Sequence, residues 1–289
     1  MPELPEVETI RRQLAPLVEG KRLEHIEIID PRWSRPLAPM ELAAALEGRR
    51  IEGLHRRGKY LVWSLQGDVH LAQHLRMTGA LLWEPEPEPA SVRVRIQLRP
   101  RHRLLIVDPR RFGTGELLLG AEALETFFLA RLGLEPFDER FTAEHLRGLA
   151  RGRRTPIKAL LLDQRKVAGV GNIYADEALF RARVHPLRPA GRLSAGQHVD
   201  LRAGVIEALQ AGIDARGASI DDFRHVDGVR GSFQDQFLVH RREGEPCGRC
   251  GRPIVKMVVA GRGTYVCERC QPRPRSRPGR GARLARSGR

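Results

Sequence analysis

The sequence predicts an α+β protein in three parts: a helix leading a β-rich domain, a helical domain, and a cysteine-bearing hairpin. Three observations carry that reading. Residues 3–18 place Leu4, Val7, Ile10, Leu14 and Leu17 at helical spacing, and Gly20 ends the run. From about 22 to 119, short β-rich runs alternate with Gly, Pro and Asp, the texture of a sandwich or barrel. Beyond residue 142 the apolar residues return to helical spacing, and two Cys-x2-Cys pairs follow.

The strand-like runs are, in order, HIEII, KYLVWSL, VHLAQHL, VRVRIQL, RLLIVD and GELLL. Pro-Glu alternation from Glu84 to Pro89 reads as a stiff exposed loop. The texture changes near residues 133–138, and 142–216 read as helices. One carries Ile157, Leu160, Leu161 and Leu162. A turn, Gly169-Val170-Gly171, then leads into Asn172 and the helix IYADEALFRA. A longer helix, capped by Ser194, carries Val199, Val205, Ile206, Leu209 and Ile213. Residues 217–236, rich in Gly and Asp, are predicted to form a mobile loop. PIVKMVVAGRGTYV reads as a β-hairpin turning at Gly261-Arg262-Gly263, with Arg262 at its tip. The Arg/Pro/Gly tail, 273–289, is too polar to fold alone. The expected domains are therefore 1–133, 134–236 and 237–272, followed by that tail.

Charge narrows the partner. Fifty Lys and Arg against 35 Asp and Glu give a net +15. The last 17 residues hold seven arginines and no acid, yet the remaining 43 basic residues still outnumber the acids. Such a field draws polyanions, nucleic acid first and an anionic membrane second. No apolar run is long enough to span a bilayer, and Glu3, Glu6 and Glu8 are unlike the start of a signal peptide. A cytoplasmic, nucleoid-associated protein is expected, and in a reducing compartment four clustered cysteines point to metal rather than disulfides.

Cys247-x2-Cys250-x16-Cys267-x2-Cys270 supplies two thiolates from each of two turns, a tetrahedral set suited to one structural Zn²⁺. An iron–sulfur or redox role is the alternative. With four thiolate ligands no position is left for water, so the metal would be structural. The start, MPELPE, has two readings. Acidic residues and a proline suit any first helical turn, and taken alone the hexapeptide favours that reading. If Met1 is removed, however, Pro2 carries a secondary amine titrating near about 8. Such an amine can attack a sugar C1′ to form an iminium ion, with Glu3 beside it as proton carrier.

Six blocks in register bring these features together: MPELPEVET at the start, RRGKYL at 56–61, HLRMTG at 74–79, DPRRFG at 108–113, LLLDQRKVAGVGNIYADEALF at 160–180, and AGRGTYVCERCQ at 260–271 with its cysteines. Together they closely resemble the formamidopyrimidine-DNA glycosylases, from residue 1 to about 272. The resemblance implies an N-terminal β-sandwich led by a buried helix, a helix–two-turn–helix domain and a zinc-ribbon hairpin, with DNA in the cleft between them. It implies a monomer acting on damaged duplex DNA. Base release would be followed by β- and δ-elimination. Pro2 would form the Schiff base, Glu3 would be its acid/base partner, Lys59 (on a strand end) would serve phosphate contact and proton transfer, and Arg262 would grip the flanking phosphates. Met77, Arg110 and Phe112 match a wedge that fills the hole left by a flipped nucleotide; Met77 and Phe112 could otherwise be core. His74, Arg153 and Lys158 match phosphate contacts but could each be plain surface groups. Asn172 is either a simple N-cap or an N-cap whose helix end also takes a phosphate.

The sequence also departs from the family's pattern. Arg76 stands where Gly is frequent, and His240-Arg241 where Tyr-Gly is usual. The Glu84–Pro89 loop lacks a histidine that many members carry. Two rivals remain: a sister endonuclease acting on oxidised pyrimidines, and a non-catalytic zinc-containing DNA-binding protein. The loop 217–236 is expected to lie over the flipped base, and the tail to add non-specific DNA affinity.

Overall fold

A computed structural model of the chain describes residues 2–219, 226 and 231–274. Met1, half of the expected lesion-capping loop (220–225 and 227–230) and most of the basic tail lie outside the described residues.

Helix α1 (Leu4–Val18) carries Pro5 in its first turn, a residue pre-set for that position, with Glu6 facing the helix's positive end. Behind it stand two antiparallel four-stranded sheets. One has the order β1 (Arg22–Ile28), β6 (Val92–Arg99), β7 (His102–Val107), β5 (Ala80–Trp83). The other runs β2 (Ile51–Arg57), β3 (Tyr60–Leu65), β4 (Val69–His74), β8 (Thr114–Leu119). In β6 the burial alternates strictly, as period-2 patterning requires of a strand with one covered face. β4 is buried throughout, because α3 (Ala121–Leu129) covers its outer face with Phe127 and Phe128. Helix α2 (Pro39–Leu46), α3, β2 and β5 were not singled out in the sequence. The first two are short, and β2 is interrupted by Gly53 and charged residues.

The helical domain packs α4 (Ala143–Ala150), α5 (Ile157–Leu162), α6 (Asn172–Arg181) and α7 (Ala195–Asp214) around Tyr174, Leu179, Leu201 and Leu209. Ser194 caps α7 as expected, accepting from the Gln197 N–H. Val199, expected on its apolar face, is exposed instead. β9 (Val255–Val259) and β10 (Arg262–Val266) form the hairpin. Its turn is Ala260-Gly261, both at positive φ (50° and 71°), as a two-residue type I′ turn demands. Arg262 therefore opens β10, one step past the expected tip.

Helix α1 locks the two domains together. Val7, Ile10, Leu14 and Val18 enter the sandwich core, whereas Leu4 enters the helical core. The first turn of the chain is thus held where the domains meet. No helix among the described residues is long and apolar enough to cross a membrane.

Candidate active site and nucleic-acid interface

The site is built around Glu3. Its carboxylate, only 2 % exposed, sits on the first turn of α6 and accepts from the backbone N–H groups of Ile173 (3.0 Å) and Tyr174 (3.4 Å). A helix N-terminus favours negative charge, so residues 170 apart in sequence are fixed by dipole and hydrogen bonds together. This corrects the expectation that this donor-rich end serves a phosphate with Asn172 as its cap. Gly171 holds the cap position, Asn172 is the first helical residue, and its Nδ2 donates to the Gly263 carbonyl at 2.9 Å. The close approach also explains the Gly-Val-Gly turn. A Cβ on Gly171 would lie 2.3–2.6 Å from the Glu3 carboxyl atoms, and one on Gly169 2.5 Å from Leu4. The Leu4 N–H donates to the Gly169 carbonyl, fastening the same strip of chain.

Glu6, missed in the sequence, holds the turn from within. It accepts from the Glu3 N–H (2.8 Å), the Tyr174 hydroxyl (2.7 Å) and the Ala218 N–H (2.8 Å). Burial, then the neighbouring Glu3 charge, pushes its carboxyl above the usual range. Pro2, directly before Glu3, is buried too.

Lys59 enters from the two-residue turn between β2 and β3, just past the strand end expected for it, and is 4 % exposed. Burial holds its amine below the usual lysine range, and the positive charge of Arg262 adds to that; Glu3 and Glu6 oppose it. A buried amine so poised exchanges protons more readily than a surface lysine. Glu135 fixes the turn by accepting from the Gly58 N–H (2.6 Å) and from Arg56 (2.8 Å).

The hairpin bearing Arg262 is tied to α6 by a buried network. Lys158 Nζ donates to Asp176 Oδ1 (2.7 Å), Thr264 Oγ1 (2.8 Å) and the Gly263 carbonyl (3.3 Å). Its side chain is fully buried, which corrects the expectation of a phosphate contact: Lys158 braces the hairpin from inside. Asp176 also meets His240 Nδ1 at 2.8 Å, and Glu177 accepts from the Leu238, Val239 and His240 N–H groups. The unusual His240 therefore has a defined partner. Arg241 and Arg76, at the two positions where Gly is frequent, stand at φ 59° and 56°. Those are left-handed conformations that glycine adopts without strain.

The four cysteine sulfurs lie within 4.8 Å of one another, with Cys247–Cys270 at 3.9 Å and Cys250–Cys267 at 3.5 Å. Tetrahedral Zn²⁺ with bonds of about 2.3 Å places sulfurs about 3.8 Å apart. The donor set fits one structural zinc, which leaves no open coordination position.

The loop bearing Met77 and the loop bearing Arg110 and Phe112 are joined through Thr78, which meets Asp108 and the Arg110 N–H. Phe112 is 52 % exposed, and the Arg110 guanidinium lies 5.0 Å from its ring centroid. The core alternative is thus excluded for Phe112, and Met77 is half-buried. Both loops hang on buried Asp108, a second residue missed in the sequence. Its carboxylate accepts from the Thr78 hydroxyl and from the Arg110, Phe112 and Gly113 N–H groups. Buried His74, at the root of the same loop, accepts on Nδ1 from the Arg76 N–H at 2.9 Å. Burial and the nearby Arg76 and Lys59 charges push it down to about 3. It is therefore neutral, with its proton on Nε2. Arg153 is exposed in the loop after α4.

Family models match in chain order: the formamidopyrimidine-DNA glycosylase N-terminal domain at residues 1–115, the H2TH domain of the same enzymes at 132–224, and the zinc finger found in FPG and IleRS at 244–273. This chain belongs to the formamidopyrimidine-DNA glycosylase family. It is similar to the formamidopyrimidine-DNA glycosylase of Roseiflexus sp., with 44 % identity over 94 % of this chain and 100 % of that one. The crystal structure of MutM (Fpg) from Thermus thermophilus superposes with a TM-score of 0.84, at 46 % identity over 93 % of this chain and 98 % of that one. A mutant Lactococcus lactis Fpg in complex with Fapy-dG-containing DNA gives 0.88, at 37 % identity over 94 % and 100 %. These glycosylases share the sandwich, helical domain and zinc finger described above.

Proposed function

We propose that this chain is a base-excision repair glycosylase and AP lyase that removes oxidised purines, 8-oxoguanine and formamidopyrimidines, from duplex DNA. The observation that carries this reading is the seat of Glu3 on α6, beside buried Lys59 and directly after Pro2. A simple DNA-binding protein has no use for a buried carboxylate and a buried amine beside the start of its chain, because burying charge without a task is costly.

In this reading the Pro2 nitrogen, freed by loss of Met1, attacks C1′ of the damaged nucleotide. The bond to the base breaks and the base leaves with a proton; the nitrogen then gives up its own proton, and its lone pair expels O4′, which is protonated as the sugar ring opens and leaves an iminium ion at C1′. Glu3 and Lys59 carry protons. Elimination then breaks the C3′–O and C5′–O bonds in turn and leaves a one-nucleotide gap. Arg262, His74 and Arg153 hold backbone phosphates, contacts that position DNA without reading its sequence. Met77, Arg110 and Phe112 fill the space vacated by the flipped nucleotide. Zinc holds the hairpin that presents Arg262. The enzyme works as a cytoplasmic, nucleoid-associated monomer.

The test compares excision of 8-oxoguanine opposite cytosine with excision of thymine glycol. Faster release of 8-oxoguanine is expected. Dominant thymine glycol activity would assign the chain to the oxidised-pyrimidine branch instead.

A further inference from the structure

Apart from the cleft, the sandwich and the helical domain leave between them a cavity of about 550 Å³. Its lining includes Leu129, Leu132, Phe137 and Leu149. Leu129 is 75 % exposed and Phe137 40 %. Two large apolar side chains open to solvent beside a concave apolar wall mark a surface suited to an apolar anchor.

The rim is charged, and most of its charges are already matched. Glu135 is held by Arg56 and the Gly58 N–H, Asp138 by Arg140 at 2.6 Å, and Arg57 by Glu125 at 2.6 Å. Arg165 and Lys166 also line the cavity, and among the described residues neither side chain meets an acid. What remains over the apolar wall is therefore uncompensated positive charge. None of the lining residues belongs to the proposed catalytic or wedge groups.

We propose that this cavity docks an acidic peptide segment of a partner protein, bearing an aromatic or aliphatic anchor. The anchor covers Leu129 and Phe137, and flanking carboxylates pair with Arg165 and Lys166. The chain's own tail has the wrong sign, with seven arginines from 273 to 289. A nucleic-acid backbone answers the two basic groups but leaves the apolar wall uncovered. A peptide satisfies both halves of the surface. It would bring a partner to the enzyme without competing for the cleft.

The test is fluorescence anisotropy of a fluorescein-labelled peptide, Asp-Asp-Phe-Asp-Asp-Leu-Phe, titrated with the full chain in the presence of excess undamaged duplex. Saturable binding is expected, and a peptide with Ser in place of Phe and Leu should bind at least about tenfold more weakly, the scale of exposing one large apolar side chain. Phe137→Ser should weaken the labelled peptide similarly, as should the pair Arg165→Glu and Lys166→Glu. Leu129→Ser serves as a second apolar variant, since so exposed a residue contributes little to folding. Duplex binding should be unchanged in Phe137→Ser and Leu129→Ser. Equal binding of the serine peptide, wild-type affinity in Leu129→Ser, or displacement of the peptide by duplex would each overturn the proposal.

Discussion

The Glu3 cluster and the wedge loops are built on opposite plans. On the Glu3 side Glu3 and Lys59 are themselves buried and Arg262 is exposed on a braced hairpin, and groups of the helical domain hold all three in place. Glu3 rests on α6, Lys59 on a turn clamped by Glu135, and the Arg262 hairpin on Lys158 and Asp176. On the wedge side Phe112 and Arg110 are exposed, and the buried element is their support, Asp108. Bond-making chemistry needs charges fixed in a site with little water. Filling a gap in stacked DNA needs side chains that project, so only their backbone is fixed.

This contrast orders the expected effects of mutation. The largest belongs to Gly171→Ala, whose Cβ would push into the Glu3 carboxylate. Excision and strand nicking should fall by about a hundredfold or more, the cost of misplacing a catalytic group by an ångström. Single-turnover kinetics checks this, and near-wild-type rates would mean that the seat of Glu3 is not needed. Next, Asp108→Ala strips the acceptor from three backbone N–H groups and should cost about 2 kcal/mol or more in thermal unfolding. Phe112→Ala should change stability by less than about 0.5 kcal/mol while weakening lesion-duplex binding. Equal destabilisation by both would erase the distinction between support and tip.

Smaller still is Arg76→Gly. Relieving a left-handed arginine should stabilise the fold by up to about 1 kcal/mol in denaturant melts; a clear loss of stability would mean that the Arg76 side chain makes up for its strain. The smallest effect concerns His74. Its folded pKa is lowered to about 3, whereas an unfolded imidazole titrates near about 6.5. Its contribution to stability is thus present above about pH 6.5 and lost as the pH falls from there towards 3. Over the physiological range it stays neutral. The duplex-affinity loss in His74→Ala should therefore be the same at about pH 5.5 as at about pH 8. A loss that grows in acid would reveal a protonated imidazole.

The parts of this architecture legible in the sequence are those encoded over short spans. The cysteine spacing, the stripe from Leu4 to Leu14, the alternation in VRVRIQL and the cap at Ser194 all act within a few residues. What escaped depends on long closures. Glu3 and α6 are far apart in sequence, so the GVGN turn reads as a phosphate cradle until folding delivers a carboxylate to it. Lys158 carries the charge of a DNA contact, and only the return of the hairpin shows it enclosed against Asp176 and Thr264. Asp108, Glu6 and Asp176 all lie inside the recognised blocks. Their signal was acidic residues placed in a strongly basic protein, and polyanion binding gives such residues no obvious use.

The central claim is that Pro2, delivered by the turn that seats Glu3, is the nucleophile. Borohydride trapping on an 8-oxoguanine duplex, followed by peptide mapping of the adduct, tests it most directly. A covalent adduct is expected on the N-terminal peptide at the Pro2 nitrogen, abolished when an extension blocks that nitrogen. An adduct mapped to Lys59, or trapping that survives the blocked N-terminus, would contradict it.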